Sequence, residues 1–325
     1  MIEQHLEYTE CYVAFLDILG FEQIVRESER NPDVLRRLVL MLNEAANIAP
    51  PEKWVRDLGT GESKQWRMQV RSFSDSIVLF VPTESQMIAS VLETVRFLYD
   101  CLLEMDCCLR GAVTIGNMYW HDMWSADAGR DSTKASADAV GERVVYERFS
   151  KSDLPITLGP GLVEAYRLES CRAKHPRIIV SNALYEHIKR VEREDPVKRV
   201  PASPLCSPDP HNSDLWITDF LREDSDSLRF LDILHPRLDR HYVIRQTISR
   251  TDDGKTIRRN VFNNQSREEW LSSLREFIAR HLGSSSDVPI RGKYLWFAGY
   301  LNACLAAENV KLAGLQPISL GLPAE

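Results

Sequence analysis

Tyr12-Val13-Ala14-Phe15-Leu16-Asp17-Ile18-Leu19-Gly20-Phe21 describes a buried strand that ends in a tight turn and feeds a helix. Apolar and β-branched side chains fill Val13 to Leu16, so the lone carboxylate of Asp17 is costly to bury without a cation or donors beside it. Gly20 lets backbone amides approach a ligand closely, where the following helix aims its positive end. A strand-end Asp followed by such amides suits a metal-bound polyphosphate. The same residues also fit a helix N-cap Asp with a turn glycine.

A second carboxylate sits in a second β region. Gln69-Val70-Arg71-Ser72-Phe73-Ser74-Asp75-Ser76-Ile77-Val78-Leu79-Phe80 reads as two short runs around the polar break Ser74-Asp75-Ser76. A hairpin there places Asp75 at its tip, beside the end of the first strand. Two carboxylates at neighbouring strand ends repel unless cations neutralise them. Two-metal phosphoryl chemistry uses that arrangement, with ions about 4 Å apart. The alternative is an Asp that merely suits a turn.

At 325 residues, with 44% hydrophobic and 27% charged side chains, the chain has the composition of a globular protein of about two domains. A net charge of −7 argues against a non-specific nucleic-acid or anionic-membrane binder, which needs clustered cations. The seven cysteines are odd in number and scattered, with no zinc spacing, and Cys107-Cys108 are adjacent. That pattern suits buried thiols in a reducing compartment. The polar, acidic stretch from Met1 to Glu10 does not resemble a signal peptide, and the apolar run from Tyr294 to Ala307 is too short to span a bilayer. The expectation is a cytoplasmic protein with no nucleic-acid or membrane partner.

Along the chain, a strand over Cys11–Asp17 leads to helical segments over Gly20–Glu29 and Asp33–Ala49, stopped by Pro50-Pro51. Trp54–Lys64, with Gly59 and Gly61, reads as a loop, and Gln65–Val81 as the hairpin. A helix follows Pro82, with apolar positions at Ile88, Val91, Leu92, Val95, Phe97, Leu98 and Leu102. Leu109–Ile115 is a strand leading to Gly116, and residues 117 to 140 read as a polar loop. In Trp120-His121-Asp122 at its start, His and Asp side by side have the chemistry of metal ligands, but strand neighbours point to opposite faces, which favours a surface pair. A helical or mixed segment over Asp138–Phe149 precedes a strand at Leu154–Leu158. Next come a helix over Leu162–Ser170, a strand at Arg177–Val180 and a helix over Asn182–Arg190. The alternation fits an α+β fold, a mixed or antiparallel sheet with helices on one face. Four prolines between Pro201 and Pro210 mark 199–213 as a flexible loop. Beyond it lie late strands at Leu228–Leu234 and His241–Ile248, then helices over Ser266–Leu282 and Lys293–Ala307. The aromatic stripe Trp296, Phe297, Tyr300 reads as core packing or a subunit contact.

Four blocks, in order, resemble the class III nucleotidyl cyclases. Phe15-Leu16-Asp17-Ile18-Leu19-Gly20-Phe21 resembles their first metal-binding strand, and Ser74-Asp75 the Gly-Asp of their hairpin. Leu109-Arg110-Gly111-Ala112-Val113-Thr114-Ile115-Gly116 resembles a later strand. Gly159-Pro160-Gly161-Leu162-Val163-Glu164-Ala165-Tyr166-Arg167-Leu168-Glu169-Ser170 resembles the helix that carries the family's catalytic arginine. The wording is most similar to the pyrimidine cyclases of the bacterial Pycsar anti-phage system. The resemblance covers roughly residues 10 to 185. It implies a ferredoxin-like catalytic domain over 1–198, with a C-terminal extension over 214–325.

The implied activity is that of a phosphorus–oxygen lyase turning UTP into 3′,5′-cyclic UMP and pyrophosphate, an antiviral second messenger. The alternatives are a cytidylate cyclase, a purine cyclase, and an inactive nucleotide-binding module. By resemblance, Asp17, Asp75 and the carbonyl of Ile18 hold two divalent cations, Mn²⁺ or Mg²⁺, and amides near Gly20 and Phe21 cradle the phosphates. Arg167 matches the catalytic arginine, which in the family acts on the partner chain's substrate. The implied assembly is therefore a head-to-tail homodimer with shared sites. Glu164 and Arg167 also have the spacing of a helical ion pair, and Val163 replaces the family's asparagine. Arg71 and either Ile156 or Thr157 fall at the family's base-selecting positions, with Arg71 equally fitting a strand-surface charge. Tyr166, bulky where the family has Ala, narrows the base pocket.

Overall fold

The strand β1 (Thr9–Leu19) carries apolar side chains at consecutive positions, so it needs cover on both faces. The computed structural model describes residues 7–36, 38–39, 52–56, 63–85, 87–104, 106–121, 156–194, 216–238, 240–250, 256–284, 287–307 and 317–320. It places β1 inside a mixed sheet. On one side β1 pairs antiparallel with β5 (Ser76–Pro82), from Cys11 opposite Pro82 to Asp17 opposite Ser76. On the other it pairs antiparallel with β6 (Cys108–His121), from Thr9 opposite Met118 to Leu19 opposite Cys108.

β1 runs into helix α1 (Phe21–Ser28), and residues 32–36 are again helical. A separate two-stranded sheet follows, β2 (Glu52–Arg56) with β3 (Ser63–Arg67). β4 (Gln69–Phe73) pairs with β5, and α2 (Ile88–Glu104) carries the chain on to β6. In space these strands run β4-β5-β1-β6, so the chain order β-α-β-β-α-β makes two interleaved split units. β7 (Ile156–Leu158) pairs with the far end of β6, and α3 (Pro160–Arg172) crosses back to β8 (Ile178–Val180), which joins β6 in parallel. After α4 (Asn182–Glu194), β9 (Leu221–Glu223) and β10 (Arg229–Leu231) complete that edge. A long hairpin, β11 (Arg240–Arg250) with β12 (Thr256–Ser266), leads to α5 (Arg267–Ser284) and α6 (Val288–Ala307).

Helices cover both faces of the sheet rather than the single face expected, because β1 and β5 are apolar on both. One face sends Tyr12, Ala14, Leu16, Ile77 and Leu79 into a core shared with α2, α4, α5 and α6. The other sends Cys11, Val13, Val78 and Phe80 against Ala165 of α3. Each such large side chain contributes about 1.5–3 kcal/mol by burial. The α6 stripe is core packing: Phe297, Tyr300 and Leu301 are buried, and half-buried Trp296 donates from Nε1 to Asp224 at 2.8 Å.

Two expected loops are strands. Trp54–Lys64 contains parts of β2 and β3, whose Glu-Lys-Trp-Val-Arg and Ser-Lys-Gln-Trp-Arg sequences lack the alternation that announces a strand. β6 runs past Gly116 to His121, because that glycine serves close packing with α3 and not chain reversal. The expected helix over 138–149, the polar segment beyond 121 and the loop at 199–213 lie outside the described residues. No helix among the described residues is long and apolar enough to cross a membrane. Cys11, Cys101, Cys107, Cys108 and Cys304 are buried thiols, and Cys171 is exposed.

Candidate active site

Asp17 lies near the end of β1, opposite Ser76 on one side and Arg110 on the other. Asp75 occupies the two-residue turn between β4 and β5, where Ser74 takes φ 58°. The amide of Ile18 donates to the carbonyl of Asp75 at 3.0 Å, which ties the hairpin tip to the end of β1. Asp17, Ile18, Gly20, Phe21 and Asp75 then line one cavity of about 600 Å³, together with Arg110 and, from α6, Lys293.

Arg110 donates from Nε to Asp17 Oδ2 at 2.8 Å. The same nitrogen lies 2.7 Å from Oε1 of Glu169, a residue of α3 that is 3% exposed. This second approach is a charge contact without hydrogen-bond alignment. Burial pushes the Asp17 carboxyl above the usual range; Arg110 pulls it back and neighbouring Asp75 raises it further. Burial likewise raises Glu169, against the pull of Arg110. Burial lowers the Lys293 ammonium, helped by repulsion from Arg110 and opposed by Asp17. Three acids thus face two bases here, and the cavity also takes in Glu22, Glu27 and Asp106. A surplus of carboxylate repels a polyphosphate unless cations accompany it.

The turn into α1 supplies the other polarity. Gly20 takes φ +83°, and a Cβ there would meet nothing within 4 Å, so conformation alone favours glycine. No side chain caps α1, and its first-turn amides at Phe21, Glu22 and Gln23 have no intrahelical acceptor. All three residues line the cavity. Helix N-termini of this kind hold anions through oriented amides and the macrodipole.

Five sequence candidates lie outside the lining. Arg71 sits on β4, donating to its neighbour's carbonyl at Val70 (3.0 Å) and to Gln69 (3.3 Å). Ile156 and Thr157 pair with His121 and Trp120, ten residues along β6 from Arg110, or roughly 30 Å at strand rise. Tyr166 is exposed on α3 and meets Phe15 edge-on at 5.3 Å. The Arg167 side chain is 65% exposed and forms the helical ion pair with Glu164, at 2.9 and 3.0 Å. Tyr166 and Arg167 therefore present themselves to solvent and not to the interior of the cavity.

Sequence reasoning did not single out Arg110, Glu169 or Lys293, although two of them left a trace. Gly161, Ala165 and Glu169 form the buried stripe of α3, so an acid there announces a base opposite. Lys293 stands one turn before Phe297 and two before Leu301 on the stripe α6 buries. Among the described residues no group of three or more His, Cys, Asp or Glu side chains is placed to hold a metal ion. Two carboxylates and a backbone carbonyl are too few for a closed protein cage; they fit an ion that arrives with substrate phosphates. Asp17 keeps its second oxygen for such an ion, since Arg110 takes only Oδ2. No family model and no curated protein matches this chain.

Proposed function

We propose that the chain is a nucleotidyl cyclase of the class III type, with a ferredoxin-like core, converting UTP to 3′,5′-cyclic UMP and pyrophosphate in the cytoplasm. The observation that carries this reading is that Asp17 and Asp75, from separate strands, line one cavity with the uncapped start of α1. The interleaved β4-β5-β1-β6 order and the sequence resemblance support it.

The first-turn amides of α1 hold the polyphosphate, and Arg110 adds positive charge beside it. Asp17, Asp75 and the Ile18 carbonyl would hold two divalent cations. Bound there, the ions would lower the pKa of the ribose 3′-hydroxyl and neutralise charge on the departing pyrophosphate. Most of the rate then comes from positioning and charge stabilisation. Exposed Tyr166 and Arg167 serve the site of a second copy in a head-to-tail homodimer, Arg167 leaving Glu164 to meet the reacting phosphate. Arg71, with Ile156 or Thr157, lies outside this cavity and would select the base only in the site of the second copy.

Incubation with each of the four triphosphates and Mn²⁺, read by mass spectrometry, is expected to give cyclic UMP from UTP. Asp17→Ala should abolish it, and mixing Asp75→Ala with Arg167→Ala chains should restore part of it. Cyclic product from CTP, ATP or GTP alone would reassign the base. No cyclic product from any of them would leave an inactive nucleotide-binding module, a reading favoured by the Arg110–Asp17 and Arg167–Glu164 ion pairs.

A further inference from the structure

We propose that Lys293, on the C-terminal helix α6, binds the terminal phosphates of the nucleotide; this inference rests on the cyclase reading of the same cavity. The residue lies outside the four blocks that resemble the cyclase family and reaches the site only through folding. It is half-buried and lines the cavity with Asp17, Asp75 and the start of α1. Among the described residues its ammonium has no ion pair and no hydrogen bond.

The charged groups that act on Lys293 most strongly are engaged elsewhere or carry the wrong sign. Asp17 is bonded to Arg110 at 2.8 Å, and Glu169 is in contact with the same guanidinium. Asp287 accepts from the amide of Ile290 at 3.0 Å and so caps the start of α6. Arg110 itself repels Lys293. A half-buried ammonium that attracts Asp17 and Asp287 without forming an ion pair with either loses hydration and recovers only part of it. Lys293 therefore keeps its ammonium for a direct anionic partner in the cavity. The unbonded amides of α1 lack an acceptor in the same space. A polyphosphate tail satisfies both, and a compact ammonium suits one as a point charge. With the α-phosphate at the ions that Asp17 and Asp75 would hold, the β- and γ-phosphates extend toward the α1 amides and Lys293.

The test uses the full chain with Lys293→Met and Lys293→Arg, and Lys293→Gln as a second neutral variant should the first misfold. Titration calorimetry with Mn²⁺ and inorganic tripolyphosphate reads the contact without a nucleoside. Wild type and Lys293→Arg should bind comparably, and the neutral variants about tenfold or more weaker, as for loss of a charged hydrogen bond. In turnover, KM for the triphosphate should rise by a similar factor while kcat changes little. Wild-type affinity in both neutral variants overturns the proposal, even if cyclic product is made. Absence of tripolyphosphate binding in wild type overturns it too. Lys293-dependent binding without any cyclic product supports the phosphate contact and removes the cyclase reading alone.

Discussion

Arg110 touches two acids at once, and among the described residues neither carboxylate has another ion pair or hydrogen bond. Asp17 is largely covered and Glu169 almost wholly so, and burial already pushes both carboxyls toward the protonated form. Removing the guanidinium leaves like charges facing each other in a poorly hydrated corner. Arg110→Ala should cost about 3 kcal/mol of folding stability, measured by urea denaturation. Adding Glu169→Gln should recover part of that, because one stranded charge is then gone. The two strand-end acids were legible in sequence because each interrupts a local apolar pattern. Arg110 was not, since an arginine in a strand also suits an exposed edge. Only the register of β1 against β6 puts it opposite Asp17.

Among the elements, α3 and β6 meet more closely than side chains allow. A Cβ on Gly116 would lie 2.7 Å from Cα of Gly161, and one on Gly161 would lie 2.9 Å from the Gly116 carbonyl carbon. Backbone thus packs on backbone, which seats the helix low enough for Ala165 to reach the sheet and Glu169 to reach Arg110. Gly161→Ala should cost about 1–3 kcal/mol through overpacking, seen as a lower urea midpoint with an unchanged slope. Helices with marked periodicity, such as α2, were readable within a few residues. β2, β3 and the end of β6 were not. The first two are too polar to alternate, and in the third a glycine that permits contact looks the same as one that turns the chain.

At the scale of the molecule, the segment from residue 216 onward adds β9 and β10 to the sheet and sends Trp270, Leu274, Phe277 and Leu301 into the same core as α2. No local pattern could announce this, because such packing depends on surfaces presented by distant segments. The same burial sets an acid limit. His175, His187 and His235 all titrate below the ordinary value of 6.5; burial is the main cause, with Arg177 and Arg190 repelling the first two. Unfolded histidines bind protons first as pH falls through 6.5, so unfolding gains ground from there down to the folded pKa values. Asp224 and Asp226 add the same sign at lower pH, because their hydrogen bonds and Arg177 outweigh burial and hold both below the usual range. Raised Asp17, Glu169 and Glu192 act in the opposite sense, also at lower pH. The thermal midpoint should therefore fall between pH 7.5 and 6, and His187→Gln should reduce the slope.

The wall that α6 contributes has a temporal meaning as well. Asp17 leaves the ribosome well before Lys293, so a nascent chain carries the acids before it owns a closed pocket. The pocket thus waits on the late helices, and a fragment lacking them would carry the acids without the wall that bears Lys293.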